Sequence, residues 1–197
     1  MNPDKQKDPS QNDIKFILNL LNSNKLTEAK KEIDQQISLY PNSSILFNIK
    51  GAIFSSENKI DLSIENYYKS IKFDPNYAQV YNNLGIALQK LDKKEEALKN
   101  YNKAISLKKD FSEALNNLGN LMIQLNKPKE ALEYFEKALK PNSNFAEPYF
   151  NMGIIHYDFY GNKQEALNNF KKAIKIKPDY AEAHNSMGLV YQQIMEF

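Results

Sequence analysis

The stretches VYNNLGIAL at residues 80–88 and ALNNLGNLM at residues 114–122 each place a glycine in the middle of an apolar helical pattern. Glycine inside a helix costs about 0.5–1 kcal/mol relative to alanine, and asparagine is a weak helix former. A stretch with such unfavourable residues that occurs twice needs a compensating gain in packing. The spacing between its copies is therefore the first guide to the fold.

The glycines define a repeat. Five of the six recur at intervals of 34, 34, 34 and 35 residues, at Gly51, Gly85, Gly119, Gly153 and Gly188. Small residues follow the same period at Ala29, Ser63, Ala97, Ala131 and Ala166. A fixed period of this size is typical of a solenoid, in which each unit is one supersecondary element and neighbouring units stack.

The repeated unit resembles the tetratricopeptide repeat, whose pattern runs large-x-x-Leu-Gly-x-x-Tyr, then Ala-x-x-x-Phe-x-x-Ala, then Pro. In residues 78–111 the matching residues are Tyr81, Leu84, Gly85, Leu88, Ala97, Tyr101 and Ala104. The resemblance implies an all-α fold, a right-handed α-solenoid of stacked helix–turn–helix units. It divides the chain into a flexible polar tail (1–9) and a single array (10–197). That array contains a degenerate repeat (10–43), four full repeats (44–77, 78–111, 112–145 and 146–180) and a lone first helix (181–197).

Each repeat is predicted to pair a helix A with a helix B, and in residues 78–111 these run over 78–91 and 95–107. Gly85 and Ala97 are expected to let the two backbones approach closely, with Tyr81 and Tyr101 filling the neighbouring space. Burying one large side chain is worth about 1.5–3 kcal/mol, which outweighs the cost of the glycine.

Prolines are expected to separate one repeat from the next. Pro75 and Pro178 disfavour helix in the preceding residue and therefore end helix B. Asn76 and Asp179 are then predicted to cap the following helix A.

Polar side chains are predicted on the face of helix A that points away from helix B. Asn83, Asn117 and Asn151 occur once per repeat, two residues before the glycine. A primary amide can bond both the N–H and the C=O of an extended peptide without reading its side chains. The repeats look similar to those of O-linked N-acetylglucosamine transferase, which carry asparagine at this position. The predicted partner-binding residues are Asn83, Asn117, Asn120, Asn151, Ile86, Lys90, Gln124 and Ile154.

Two features of the helix A series leave alternatives open. Ile45, Ile49 and Ala52 either form pockets for a partner or are covered by the tail or the first repeat. Residues 154–162 contain one residue more than the other repeats, which either forms a π-bulge in helix A or lengthens the turn. The asparagines themselves are also common in ordinary tetratricopeptide repeats.

The C-terminal stretch predicts an uncovered surface. His184, Met187 and Tyr191 form the face that a further helix B would cover. A terminal repeat usually has a polar outer face. We therefore expect either a longer chain or a homodimer through the C-terminal helix, with Met187 and Tyr191 as self-association residues.

Composition argues against several classes of function. The chain has no cysteine and two histidines without carboxylates at ligand spacing, so neither a metal nor a cofactor is expected. A net charge of +2 does not favour nucleic acid, and no apolar run is long enough to span a membrane. No nucleophile elbow or phosphate loop is present. These features predict a non-enzymatic cytoplasmic protein.

The function expected from the sequence is a protein-interaction scaffold that binds a peptide or partner segment in the concave groove of the superhelix. The alternative is an N-terminal, substrate-recruiting fragment of a larger enzyme such as a glycosyltransferase. The carboxylate clamp of some tetratricopeptide co-chaperones is not expected, because asparagines occupy its lysine positions at Asn48, Asn82 and Asn116.

Overall fold

The computed structural model describes residues 8–195, and within this range it contains eleven α-helices and no strand. The first six helices belong to one compact unit, Met1–Leu107, and the others to a second, Lys108–Phe197. In the first unit the helices are α1 Gln11–Asn22, α2 Leu26–Leu39, α3 Ser44–Ser56, α4 Ile60–Phe73, α5 Ala78–Lys90 and α6 Lys94–Leu107. In the second they are α7 Ser112–Gln124, α8 Pro128–Leu139, α9 Ala146–Asp158, α10 Lys163–Ile176 and α11 Ala181–Met195.

The helices alternate between the two predicted roles, with odd-numbered helices as helix A and even-numbered helices as helix B. Neighbours pack in sequence order, so α3 packs on α4, α5 on α6, α7 on α8 and α9 on α10. Even the degenerate repeat forms a complete pair, α1 and α2. The prediction of one array over residues 10–197 is not tested by these pairings and stays a prediction.

An aromatic ring of helix B covers the glycine of helix A in each of the four full repeats. A Cβ atom built on Gly85 would lie 2.6 Å from Cε1 of Tyr101, and one on Gly119 would lie 2.6 Å from Cε1 of Phe135. Gly51 with Tyr67 and Gly153 with Phe170 have the same geometry. The expectation that Gly85 lets two backbones meet is therefore corrected, because the glycine makes room for a ring instead.

The buried rings lie in apolar surroundings. Tyr101 is almost completely buried, and this burial raises the pKa of its phenol well above the ordinary value. Its hydroxyl donates to Oε1 of Gln89 at 2.8 Å, which satisfies the polar end of the ring. Tyr81, which was predicted to fill the same space, is only half-buried, and its hydroxyl donates to the Pro75 carbonyl oxygen at 3.0 Å.

The first repeat replaces the glycine–aromatic pair with two residues of intermediate size. Ile17 stands one period before Gly51, and Ile33 stands one period before Tyr67. Both isoleucines are buried in the same cluster as Leu46. Two isoleucines together carry as many non-hydrogen side-chain atoms as a glycine and a tyrosine, so the two positions hold a similar number of atoms while the individual residues differ.

The turns from helix A to helix B each contain a residue with positive φ, between 56° and 61°, and these residues are Asn24, Asn58, Asp92, Asn126 and Gly161. The first four turns share one conformation, whereas in the fifth the N–H of Asn162 donates to the His156 carbonyl oxygen at 2.8 Å. After α5 the N–H of Lys93 donates to the Leu88 carbonyl oxygen at 3.0 Å, and the N–H of Asp92 donates to that of Gln89 at 3.0 Å. This is a Schellman motif, for which asparagine, aspartate and glycine are the favoured residues.

The additional residue of the fifth repeat lies in the turn. α9 has 13 residues, as do α5 and α7, and it is α-helical throughout. Residues 159–162 connect it to α10, whereas residues 91–93 connect α5 to α6. The π-bulge is therefore wrong and the longer turn is confirmed.

The predicted caps of two A helices are wrong. The N-cap of α5 is Tyr77, which makes no side-chain capping bond, and Asn76 instead donates its N–H to Oδ1 of Asp74 at 3.0 Å. α11 begins only at Ala181, two residues after Asp179. Aromatic residues occupy these positions periodically, at Tyr77, Phe111, Phe145 and Tyr180. Burying an aromatic ring is worth about 1.5–3 kcal/mol, whereas a cap contributes about 1 kcal/mol.

Part of the predicted tail is ordered. Residues 1–7 lie outside the described part of the chain. Pro9 is buried, and Asp8 accepts a hydrogen bond from the Ser43 hydroxyl at the start of α3. None of the helices within residues 8–195 is both long and apolar enough to cross a membrane.

The glycines provide a matched pair of stability tests. We expect Gly85→Ala to lower the free energy of unfolding by about 1–3 kcal/mol, because the new Cβ overlaps the Tyr101 ring. Gly188→Ala should instead raise it by about 0.5–1 kcal/mol, because nothing lies within 4 Å of its Cβ position and alanine is the better helix former. Urea unfolding followed by circular dichroism measures both. Stabilisation by Gly85→Ala would contradict the packing described here.

Candidate functional site

A cavity of about 290 Å³ opens between α3 and α5 in the first unit. Asn83, Ile86 and Lys90 of α5 line it, at spacings that place them on one face of the helix. These are three of the predicted binding residues, and the structure brings them together. The cavity thus lies on the helix A face where the sequence placed a partner.

The other walls of this cavity were not predicted from the sequence. Ala52, Ser55 and Ser56 of α3 line the opposite side, and their small side chains leave the space open. Tyr67 also reaches the cavity, and burial raises the pKa of its phenol, so the ring presents a neutral hydroxyl. The signal that could have identified this wall is that Ala52, Ser55 and Ser56 are small residues one period before Ile86, Gln89 and Lys90.

Asn83 takes part in a hydrogen-bond chain between repeats. Its Nδ2 donates to Oδ1 of the buried Asn48 at 2.9 Å, and its Oδ1 accepts from Nε2 of Gln79 at 3.2 Å. Asn48 in turn donates to the Tyr77 hydroxyl at 3.4 Å. Since an amide has two N–H donors and two lone pairs, Asn83 retains one of each for a ligand.

The second unit contains the same bond between successive A helices. Nδ2 of Asn151 donates to Oδ1 of Asn116 at 3.3 Å, and Asn116 is 6% exposed. Asn48 and Asn116 occupy the same place in their repeats, where the sequence indicated only that the lysine of a carboxylate clamp is absent. The structure gives them a physical role, because each joins its own helix A to the next one within its unit.

The remaining predicted binding residues of the second unit lie on its A helices. Asn117 and Asn120 are half-buried on α7, and Gln124 is exposed near its end. Ile154 of α9 is partly buried against the cluster that contains Phe170. The role of these residues in binding stays a prediction, as does the three-asparagine ladder.

The apolar residues predicted on helix A of the second repeat are partly covered by the first repeat. Ile49 is buried and Ile45 is partly buried in the cluster formed with Ile17 and Ile33 of the first repeat. The alternative in which the first repeat covers them is therefore the one observed. Ala52 remains exposed and contributes to the cavity described above.

The self-association residues occupy a different position from the one expected. Met187 and Tyr191 are partly buried against the cluster of Leu167 and Phe170, so they face α10 instead of open solvent. The expectation of an uncovered face is correct only for His184, which is exposed and contacts the Pro178 carbonyl oxygen at 2.9 Å. The exposed apolar residues of α11 are Leu189, Ile194 and Met195.

No group of three or more His, Cys, Asp or Glu side chains within residues 8–195 could hold a metal ion. The two histidines lie on α9 and α11, where His156 packs its ring near that of Tyr160 with 5.9 Å between centroids.

Family models match most of the chain. One described as a TPR repeat matches residues 51–92 and 161–194, and two described as tetratricopeptide repeat match residues 78–111 and 112–140. The chain belongs to the tetratricopeptide repeat family. The expected fold class, an all-α helical-repeat solenoid, is thereby confirmed. The resemblance to O-linked N-acetylglucosamine transferase repeats is not shown by these comparisons and stays a prediction.

Solved tetratricopeptide structures are similar to the chain over most of its length. MamA shares 26% identity over 76% of this chain and 81% of its own, with a TM-score of 0.62. PilF of Pseudomonas aeruginosa shares 24% identity over 93% and 89%, with a TM-score of 0.75. YrrB, described as a TPR protein with an unusual peptide-binding site, shares 22% identity over 92% and 93%, with a TM-score of 0.63. A search of curated protein sequences finds no match.

The hydrogen bond between Asn83 and Asn48 can be measured by a double-mutant cycle. We expect the two alanine substitutions to show a coupling free energy of about 0.5–1.5 kcal/mol, because the bond is partly buried. Urea unfolding of the two single variants and the double variant gives this value. Asn48→Ala combined with Asn102→Ala, an exposed residue of α6, is the control and should be additive within about 0.5 kcal/mol. Additivity of the Asn48–Asn83 pair would contradict the described bond.

Proposed function

We propose that this tetratricopeptide repeat protein is an interaction scaffold that binds an extended peptide segment along the helix A face. The observation that carries the proposal is the cavity that unites Asn83, Ile86 and Lys90. It combines an apolar wall, a cation and an amide, which is the mixture typical of specific binding sites.

Each group would have a distinct role in such a complex. The remaining N–H and lone pair of Asn83 would bond the peptide backbone, which fixes its position without selecting a sequence. Ile86 would contact an apolar side chain next to the Tyr67 ring. Lys90 forms no ion pair with a described residue, so its ammonium is available for a carboxylate of the partner.

Fold similarity supports the general class of function. Repeats of this family build surfaces for protein partners, and one similar structure is described as peptide-binding. The alternative, an N-terminal fragment of a larger enzyme such as a glycosyltransferase, stays a prediction, because no observation in the described residues favours it.

The proposal is tested with a displayed library of random peptides selected on the intact chain. Peptides that bind should lose about tenfold or more in affinity for Ile86→Ser/Lys90→Ala, because that variant removes the apolar wall and the cation. These two residues are chosen because neither side chain makes a hydrogen bond or ion pair with another described residue.

The matched control is Leu62→Ser/Lys72→Ala, which makes the same changes at exposed positions of helix B in α4. Selected peptides should bind this control as tightly as the original chain. Circular dichroism shows whether both variants retain their helices. Selected peptides that bind Ile86→Ser/Lys90→Ala with unchanged affinity, or a selection that yields no binder, would rule out this cavity as the site.

A further inference from the structure

A second cavity, of about 400 Å³, lies on the helix B side of the second unit. Lys172, Lys175 and Ile176 of α10 line one side, and Tyr149 of α9 and Asn144 of the preceding loop line the other. The three residues of α10 follow the spacing that places side chains on one helix face. This cavity is remote in sequence from Asn83, Ile86 and Lys90, and the proposed function makes no use of it.

The charge of this cavity is not neutralised within the described residues. Its lining contains two lysines and no carboxylate. Neither Lys172 nor Lys175 lies within 4.0 Å of a carboxylate oxygen of residues 8–195, whereas Lys69 of α4 and Lys137 of α8 have glutamate partners. α10 itself carries four lysines and one glutamate, and α8 carries two lysines and three glutamates.

The lysines stand beside an apolar wall. The Lys172 ammonium lies 5.6 Å from the centroid of the Tyr149 ring, a cation–π contact that holds the charge at the edge of the cavity. Tyr149 and Ile176 are partly buried against the cluster of Ala146 and Tyr180, and this packing holds their side chains in place. The cavity therefore offers two cations and an apolar surface side by side.

An equivalent position in the first unit lacks this combination. Lys103 of α6 stands over the Tyr81 ring at 6.0 Å, as Lys172 stands over Tyr149. However, Ser106 occupies the place that corresponds to Lys175. Lysine pairs at these two places recur in α4, as Lys69 and Lys72, and at the end of α8, as Lys137 and Lys140, but Lys69 and Lys137 each have a glutamate partner four residues earlier. Asn168 stands four residues before Lys172, so a lysine pair without a carboxylate partner is a property of this repeat.

We propose that the cavity between α9 and α10 is a second binding site, for an acidic peptide segment that carries an aromatic or aliphatic residue next to its carboxylates. The carboxylates would lie between Lys172 and Lys175, and the apolar side chain would pack on Tyr149 and Ile176. The side-chain amide of Asn144 forms no hydrogen bond with a described residue and would bond the peptide backbone. An acidic peptide fits better than a phosphate chain, because ammonium groups are point charges and the sequence has no arginine fork.

The test uses a peptide labelled with fluorescein at its N-terminus, fluorescein-Gly-Asp-Glu-Phe-Glu-Asp-Gly-amide, and its counterpart with asparagine and glutamine in place of the acids. Fluorescence anisotropy at low ionic strength measures the affinity of each peptide for the intact chain. We expect saturable binding of the acidic peptide, about tenfold tighter than that of its amide counterpart, and weaker binding as salt is added.

Variants locate the site. Lys172→Glu/Lys175→Glu should weaken binding of the acidic peptide about tenfold or more, because each exposed attraction becomes a repulsion. Lys99→Glu/Lys103→Glu makes the same change of net charge on α6 and should leave the affinity within about twofold of the original. Ile86→Ser/Lys90→Ala should also bind the acidic peptide normally, so failure here is distinguishable from failure of the proposed function.

Several outcomes would overturn this inference. An equal loss in both charge-reversal variants would show an effect of net charge alone, and no loss in Lys172→Glu/Lys175→Glu would place the peptide elsewhere. Absence of saturable binding, or of any preference for the acidic peptide, would show that the cavity does not bind acidic segments. A single-stranded oligothymidylate that binds more tightly than the peptide through the same two lysines would assign the site to nucleic acid.

Discussion

The repeat depends on one contact, in which an aromatic ring of helix B packs over the glycine of helix A. Glycine at position 85 costs about 0.5–1 kcal/mol of helix stability, and the burial of Tyr101 over it returns about 1.5–3 kcal/mol. Because the two helices are joined by a short turn, this one contact fixes how closely they approach. The Schellman motif at Asp92 then fixes the direction in which the chain reverses. The ring–glycine contact and the Schellman motif together position the helix A face that lines the first cavity.

The sequence predicted what depends on residues within one repeat. The period of the glycines identified the helix pairs, and the helical wheel placed Asn83, Ile86 and Lys90 on one face, where the structure finds a cavity. The positive-φ residues could also have been found, since asparagine or aspartate recurs at 24, 58, 92 and 126 with the period of the glycines. These features depend on residues within one repeat, so the residues recur in the sequence with the period of the repeat.

Features that depend on contacts between repeats were not predicted. The partner of Asn83 is Asn48, one repeat away, and the amide that the sequence assigned wholly to a ligand is half committed to this bond. The N-cap positions were assigned by propensity, but Tyr77 and its aromatic equivalents, of which Phe111 and Tyr180 are buried, occupy the position before each helix. Lys172 and Lys175 were not among the binding residues predicted from the sequence. Their significance depends on Tyr149 and on the absence of a carboxylate within the cavity lining, which only packing reveals. The two proposed surfaces therefore differ in chemistry, one based on an amide and one on paired cations.

The first repeat allows the most direct test of the account, because it reaches the same packing with different residues. Ile17 and Ile33 occupy the positions of the glycine and the ring, and both are buried in one cluster. If the two positions pack as one unit, Ile17→Gly alone should cost about 2–5 kcal/mol and Ile33→Tyr alone about 1–3 kcal/mol. The double variant restores the arrangement of the other repeats, so urea unfolding should show it more stable than either single variant. A double variant whose loss equals the sum of the two single losses would contradict the claim that the ring and the glycine act as one unit.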